Sequence, residues 1–326
     1  MDYGRGGKRK TDPGYGQGRA AIAWDDDVFL DEEKLTAHLL EVFQAPSYRP
    51  PTLPGVAMEL MGLSQKPDVE FDEIVALLEQ DAMLAGKIMK VMQSPIYRTA
   101  SPITSLKAAV TRLGLNTLRD IVVEIAMHLR VFRCDAFADT MERTRRHSTA
   151  TAHLARIVCR YTALEGEYAF LCGLLHDIGI AGILIALAEG VGRKDRPDLI
   201  SIWPAIDRAH AEAGRSMCGL WELPAEIQMV VGAHHQVLIE GYAHPLAATV
   251  CLADDLSHEL GFGVIPREEE GVAGRSELES ACLQSHTGVD RSGPKTLEQA
   301  CAALQIGDKQ MELIRRDAEE LRDQLA

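Results

Sequence analysis

The sequence has 326 residues, 46% of them hydrophobic, and a formal net charge of −14. Its length predicts two domains or one extended domain, and its acidic balance makes nucleic acid an improbable partner, since phosphate binding needs a basic face. No run approaches the roughly 18 apolar residues of a membrane helix, and the N-terminus lacks the layout of a signal peptide, so we expect a cytoplasmic protein with no membrane partner.

The N-terminal segment, residues 1–22, is rich in glycine with interspersed lysine and arginine. It contains little that could pack, so we predict a disordered tail. A short helix is predicted to follow, from Asp25 to about Phe43, ahead of three closely spaced prolines that end it.

Helical patterns then follow one another from Gly55 to Phe132. Asp81 is predicted to cap the third of these helices, and Gly114 with the next two residues is predicted to separate the last two. No segment alternates between polar and apolar residues for long enough to be a strand. The fold class is therefore predicted to be all-α.

Histidine and aspartate recur on the inward stripes of the helices in the second half of the chain. His147 shares a helix face with apolar residues, and His210 does the same on a helix predicted to begin near Pro204. His176 and Asp177 stand side by side at the end of an apolar run. His234 lies on the stripe of the next helix with His235 at its border. Asp254 faces inward from a helix predicted from Pro245 to about Leu260, where Asp255 could take its role.

These seven candidates are carried by five separate helices, and each buried imidazole or carboxylate needs a partner. The set comprises His147, His176, Asp177, His210, His234, His235 and Asp254. A shared metal centre satisfies all of them together, whereas a metal-free polar network needs a separate partner for each. Five imidazoles and two carboxylates suit iron or manganese, with zinc as a further candidate, and one carboxylate could bridge two ions.

The other histidines are interpreted as surface or local structural groups: His38, His153, His244, His258 and His286. Residues 263–295 are rich in glycine, serine and glutamate, which predicts a long flexible loop. Residues 296–326 return to a helical pattern, divided at Gly307, with Asp308 predicted to cap the last helix. This charged helix is predicted to pack on its own chain rather than on another.

The order of several short motifs resembles the HDOD family, a signalling family of the HD superfamily. The motifs are Leu53-Pro54, Asp81-Ala82-Met83-Leu84, Gln93-Ser94-Pro95-Ile96-Tyr97, Leu113-Gly114, Arg146-His147-Ser148, Gly173-Leu174-Leu175-His176-Asp177-Ile178-Gly179, Trp221-Glu222-Leu223-Pro224 and His234-His235. The resemblance implies a helical subdomain over residues 23–140 and an HD-type bundle over residues 141–262. It also implies a role as an output or scaffold protein in bacterial signalling, acting through a protein partner or a nucleotide second messenger.

The candidate ligands also resemble those of the HD-GYP phosphodiesterases, which hydrolyse cyclic di-GMP. That resemblance implies metal-dependent phosphohydrolase activity centred on His176 and Asp177 as the alternative function. Two departures count against it. Ile180 stands where those enzymes commonly have a phosphate-binding lysine, and Gln236 follows the histidine pair in place of glutamate. Arginines 143, 145 and 146 could replace the lysine, although a solvated run is the simpler interpretation.

Overall fold

A computed structural model describes residues 29, 31–66, 68–97, 103, 105–164, 166–191, 197–264 and 294–325. The predicted tail, residues 1–22, and nearly all of the predicted loop, residues 263–295, lie outside the described residues. The part that is described is helical except for one two-stranded hairpin, which confirms the all-α class.

The helices in chain order are α1 (Glu32–Gln44), α2 (Gly55–Leu63), α3 (Phe71–Glu79), α4 (Ala82–Val91), α5 (Leu106–Arg130), α6 (Ala138–Arg160), α7 (Ala169–Leu175), α8 (Ile178–Gly190), α9 (Leu199–Leu220), α10 (Ala225–Gly232), α11 (Pro245–Glu259), α12 (Pro294–Leu304) and α13 (Asp308–Leu325). The hairpin joins β1 (Leu238–Ile239) to β2 (Tyr242–Ala243) in antiparallel register, with Leu238 opposite Ala243.

A smaller hydrophobic core is formed by α2, α3, α4 and part of α5. Asp81 caps α4 as predicted, because its carboxylate accepts from the Leu84 amide at 3.0 Å. The two helices predicted on either side of Gly114 are confirmed: both fall within α5, where the non-helical backbone of Gly114 separates them. Gly114 has a φ of 74°, which only glycine adopts without steric penalty, so the sequence signal was correct for the break.

A larger core contains α6 to α13 and also α1. Leu35 and Leu39 of α1 are buried in it, and Glu32 pairs with Arg208 of α9 at 2.9 Å. This helix falls in the segment predicted as an N-terminal subdomain, residues 23–140, whose boundaries remain a prediction. It begins at Glu32, because Asp31 accepts from the Lys34 amide and caps it, whereas the predicted start, Asp25, lies outside the described residues.

Two other predicted helix starts differ from the structure. Helix α9 begins at Leu199, five residues before Pro204, because Asp198 caps it by accepting from the Ser201 amide at 3.2 Å. Pro204 lies in the second turn of α9, where it removes a single backbone hydrogen bond, so this proline does not determine where the helix begins. Asp308 is the first residue of α13, not its cap. The side chain of Gln310 reaches back instead and accepts from the Gly307 amide.

Helix α13 packs on its own chain, as predicted. Ile314, Ala318 and Leu321 are buried on one of its faces. The Tyr161 hydroxyl, at the end of α6, donates to Asp317 of α13 at 2.6 Å. The C-terminal helices α12 and α13 therefore cover α11 and α6.

One stretch of the described residues, Ala169–Gly190, is long and apolar enough to cross a membrane, with a mean hydropathy of 2.1. The predicted absence of a continuous apolar run of about 18 residues still holds, because His176 and Asp177 interrupt this stretch. The stretch is 89% buried and contains two helices, α7 and α8, which meet at His176 and Asp177. Burial of this kind is typical of a core element.

A cluster of buried charges joins the two cores, and we call Tyr97, Arg119, Asp120 and Arg156 the interface network. Arg119 is fully buried and donates to one oxygen of Asp120 at 2.9 and 3.0 Å. Arg156 of α6 donates to the other oxygen at 2.6 Å and to the Tyr97 hydroxyl at 3.3 Å. Both oxygens of this carboxylate are therefore paired within the protein. Burial nevertheless raises the pKa of Asp120, because desolvation outweighs the two guanidinium groups.

Candidate metal centre

The structure brings all seven candidate ligands into one cluster inside the larger core. Their places are His147 on α6, His176 and Asp177 between α7 and α8, His210 on α9, His234 and His235 after α10, and Asp254 on α11. His147, His176, His210 and His234 are at most 2% exposed. Five chain segments therefore converge on one buried point, as their inward stripes predicted.

Two glycines next to the histidine and aspartate pair allow this convergence. A Cβ on Gly179 would lie 1.9 Å from the backbone oxygen of His210, so α8 can approach α9 only with glycine here. A Cβ on Gly173 would lie 2.8 Å from the backbone of Thr151 and Ala152 on α6. The close crossings bring Asp177 within reach of both α6 and α9.

One oxygen of Asp177 faces the first of two groups of side chains. Its Oδ2 lies 3.4 Å from Nε2 of His147 and 3.4 Å from Nε2 of His176. Asp254 completes this group, with Oδ1 3.1 Å from His147 Nε2 and 3.7 Å from His176 Nε2. We call Asp177 Oδ2, His147, His176 and Asp254 the first half-site.

The other oxygen of Asp177 faces the second group. Its Oδ1 lies 3.3 Å from Nε2 of His210 and 3.4 Å from Nε2 of His234. His235 Nε2 lies 3.0 Å from His210 Nε2 on the same side. We call Asp177 Oδ1, His210, His234 and His235 the second half-site. A single carboxylate thus stands between two sets of imidazoles.

Hydrogen bonds on the far side of the rings assign their tautomers. Three histidines each place Nδ1 against a backbone oxygen three residues earlier, which can only accept. These contacts run from His176 to Gly173 at 2.8 Å, from His210 to Asp207 at 2.6 Å and from His234 to Val231 at 2.7 Å. His147 Nδ1 lies 2.9 Å from the Ser257 hydroxyl, which itself donates to the backbone oxygen of Asp254. In each neutral ring, Nε2 therefore carries the lone pair.

These lone pairs point at one another. The Nε2 atoms of His147 and His176 are 3.0 Å apart, and those of His210 and His234 are 3.2 Å apart. Neutral imidazoles in this arrangement repel unless a proton or a cation lies between them. Nitrogen ligands of a metal have this tautomer, with Nδ1 held by a second group. The residues present therefore fit a metal ion, and they fit it on both sides of Asp177.

The pKa values respond to this crowding. Burial favours the neutral form of His147, but hydrogen bonds to Asp177 and Asp254 outweigh it and raise its pKa to about 10. Burial is also the largest influence on His234, where it lowers the pKa to about 4. Burial disfavours the ionised form of Asp177 and acts to raise its pKa. The charge of His176 and hydrogen bonds from His147 and His176 outweigh burial and hold the pKa of Asp177 well below the usual range. Ionised carboxylates beside imidazoles offer a metal the donors that it needs.

Asp254, rather than Asp255, faces the cluster. Asp254 Oδ1 is buried and lies 3.1 Å from His147 Nε2 and 3.7 Å from His176 Nε2. Burial and the neighbouring charges of Asp254 and Glu259 raise the pKa of Asp255 to about 8. The alternative that the sequence left open is thereby resolved in favour of Asp254 as the inward carboxylate.

One of the remaining histidines, interpreted as a surface or local structural group, borders the cluster. His258 lies one turn after Asp254 on α11, with Nε2 3.5 Å from Asp254 Oδ1 and its ring 4.9 Å from that of His147. The spacing of four residues from Asp254 could have identified it, because such a pair shares a helix face. His153 points away from the cluster and packs edge-on against Phe170, as expected for a structural group. His286 lies outside the described residues.

Comparison with known proteins gives a match to the HDOD domain over residues 51–237. A protein of Treponema pallidum (strain Nichols) is 26% identical over 232 residues, which cover 67% of this chain. The chain spans only 44% of the length of that relative.

Solved structures show the same fold. One is a protein of Shewanella amazonensis SB2B, provisionally named a metal-dependent phosphohydrolase, with a TM-score of 0.62 at 21% identity over 90% of this chain and 99% of that one. Another is an HDOD domain protein of unknown function from Geobacter sulfurreducens, with a TM-score of 0.57 at 24% identity over 89% and 99%. A provisionally named signal transduction protein of Marinobacter aquaeolei VT8 has a TM-score of 0.54 at 17% identity over 94% and 67%.

Proposed function

The chain belongs to the HDOD domain family, and we propose that it is a bacterial signal-transduction output protein built around a centre of two metal ions. One observation carries the proposal. Asp177 directs one oxygen to each of two imidazole groups whose lone pairs converge. In this proposal Asp177 bridges the ions, one of which is held by the first half-site and the other by the second.

Iron or manganese suits this donor set best, because mixed imidazole and carboxylate ligands favour both. The spacing of the ligands supports the same choice. Nitrogen atoms in neighbouring positions of an octahedron lie about 3.0 Å apart when each is about 2.1 Å from the ion, whereas a tetrahedron separates them by about 3.4 Å. The Nε2 atoms of His147 and His176, of His210 and His234, and of His210 and His235 are 3.0 to 3.2 Å apart. Zinc remains a further candidate.

The surroundings of the cluster favour signalling over hydrolysis. A phosphodiester needs cationic donors beside the metal ions. Ile180 is buried and supplies none, and Arg145 is engaged by both oxygens of Glu142. Arg146 lies over the ring of Phe262 at 5.7 Å. Among the described residues, the side chains that pair with the carboxylates of Asp177 and Asp254 are all histidines, so these pairs bring no arginine or lysine to the cluster.

In the proposed role, the metal centre fixes the relative positions of α6, α7, α9 and α11, and the protein acts by binding in the cytoplasm. Its partner is a signalling protein or a nucleotide second messenger, whereas its net charge of −14 disfavours nucleic acid. Because structural metal sites contribute directly to folding, the ions would stabilise the larger core.

A metal-dependent phosphohydrolase is the second candidate, and one side chain favours it. Arg143 lies one turn before His147 on the same face of α6, and its Nε is buried without a hydrogen-bond partner. When bound, a pair of ions supplies an activated water and stabilises charge on a phosphoryl group. Asp177 and the histidines would hold the ions, and Arg143 would contact a phosphate oxygen.

The two candidates are separated by a turnover assay on metal-loaded protein. Cyclic di-GMP and a generic aryl phosphodiester would be incubated with the unmodified chain and with Asp177→Asn. The signalling proposal predicts stoichiometric metal and no turnover above that of the variant. Turnover that the unmodified chain shows and the variant lacks would instead establish the hydrolase. Calorimetry with cyclic di-GMP under the same conditions would detect binding without hydrolysis.

A further inference from the structure

His258 lies at the outer edge of the first half-site. It is four residues after Asp254 on α11, so the two side chains share a face of the helix. Its Nε2 is 3.5 Å from Asp254 Oδ1, and its ring centroid is 4.9 Å from that of His147 at an interplanar angle of 51°. Metal-ligating atoms of these three residues all lie within 4.8 Å of one another.

This histidine differs from the others in its exposure. The side chain of His258 is 50% exposed, whereas those of His147 and His176 are fully buried. Its ring therefore borders both solvent and the first half-site. Any small molecule that approached an ion beside Asp254 from this side would meet His258 first.

We propose that His258 is a metal ligand on the solvent side of the first half-site, where it takes the coordination position that a phosphate oxygen would need. The inference rests on the proposed two-ion centre. With His258, the first half-site offers five protein ligands, and the second offers four. A six-coordinate ion in the first half-site keeps only one position for water, while the ion in the second keeps two.

A ligand role explains why a half-exposed histidine faces this cluster. A separation of 3.5 Å between His258 Nε2 and Asp254 Oδ1 is within the range spanned by other donor pairs of the same half-site, 3.0 to 3.7 Å. Sites that are closed by protein ligands are typically structural, whereas catalytic sites keep a position open. A first half-site that His258 reduces to a single open position agrees with a binding role and disfavours hydrolysis there.

The test compares the full chain with His258→Ala and with Glu259→Ala as the matched control. Glu259 is the next residue of α11, and its exposed pair with Arg315 contributes little. Each protein would be loaded with Mn²⁺. Affinity would be measured by titration, bound water by proton relaxation of the solvent, and imidazole ligands by pulsed electron paramagnetic resonance. Inorganic phosphate would then be titrated into each loaded protein.

His258→Ala is expected to weaken one of the two Mn²⁺ sites by at least about tenfold. It should also lose one imidazole signal, gain one bound water and bind phosphate more tightly than the unmodified chain. Glu259→Ala should match the unmodified chain in all four measurements. Circular dichroism would show that each variant is folded, and His258→Gln provides a polar replacement should the alanine variant unfold.

Two results would overturn the inference, and only the second would also overturn the proposed two-ion centre. Two Mn²⁺ ions in the unmodified chain, with identical affinity, water and imidazole counts in His258→Ala, would remove His258 from the ligand set and leave the proposed centre in place. An unmodified chain that binds no Mn²⁺, Fe²⁺ or Zn²⁺ would overturn both the ligand role and the proposed centre.

Discussion

Two buried polar clusters include side chains of the same helix, α6, and they balance their charges in different ways. In the interface network, Asp120 receives hydrogen bonds from Arg119 and Arg156, so its partners are supplied by the protein. In the metal centre, the described side chains that pair with Asp177 are all imidazoles, and the Nε2 atoms of these rings also approach each other. Guanidinium groups hold their charge at any physiological pH, so the interface network is complete as a structural element. Imidazoles crowded around a carboxylate are instead a donor set that fits a metal ion.

The largest effect is expected for Asp177→Asn, because an amide cannot bridge two cations through two anionic oxygens. We predict that metal affinity falls more than about 100-fold and that the ions no longer stabilise the fold. Elemental analysis and thermal unfolding, with and without a chelator, measure both effects. Asp255→Asn is the matched control, since Asp255 is not among the inward donors. A variant that keeps both ions would contradict the bridging role of Asp177.

A second large effect is expected in the interface network, and it should not depend on metal. Arg156→Met removes one of the two cations beside the buried Asp120. Breaking a buried pair in this way costs about 3–5 kcal/mol in the free energy of unfolding. Chemical denaturation would measure the cost with and without chelator, and the two values should agree. The control is Arg160→Met, whose exposed pair with Asp317 should contribute less than about 1 kcal/mol.

A smaller effect concerns Glu124, which lies beside the interface network on α5. Burial raises the pKa of Glu124 to about 7, despite the attraction of Arg156 and Arg145. The folded protein therefore retains a proton that the unfolded chain releases near its ordinary value of 4.5. Glu124 should therefore contribute a decrease in the free energy of unfolding of up to about 3 kcal/mol between about pH 4.5 and pH 7, which then levels off.

Glu124→Gln should abolish this decrease, because the amide resembles the protonated acid at every pH. Denaturation of the variant and the unmodified chain at pH 4.5, 6 and 7.5 gives the difference directly. Parallel stabilities across this range would show that Glu124 titrates normally. A chelator should leave the difference in unfolding free energy between Glu124→Gln and the unmodified chain unchanged. This result would show that the interface network titrates independently of the metal centre.

Inward helical stripes predicted which of the helical residues converge on the cluster. His147, His210 and Asp254 each share a face with apolar residues, so burial of the helix carries them into the core. The sequence could not divide them into half-sites around Asp177. That division depends on how closely α8 crosses α9, which is set by Gly179 against the backbone of His210.

Other features escaped prediction because they depend on tertiary partners. Arg119 is fully buried, although an arginine on a helix is ordinarily a surface residue. Its burial becomes favourable only when Asp120 and the backbone oxygen of Glu167 are placed around it. The position of His258 beside Asp254 was not predicted because its helix was interpreted by its apolar stripe, whereas the side chain of His258 is half exposed.

The bridging of two ions by Asp177 is tested most directly by loading metal-free protein with Mn²⁺, removing the excess and combining elemental analysis with electron paramagnetic resonance. We predict about two ions per chain, with a spectrum of two coupled ions, since a shared carboxylate holds them about 3.5–4 Å apart. A single uncoupled ion, or no retained manganese, iron or zinc, would contradict a bridged pair.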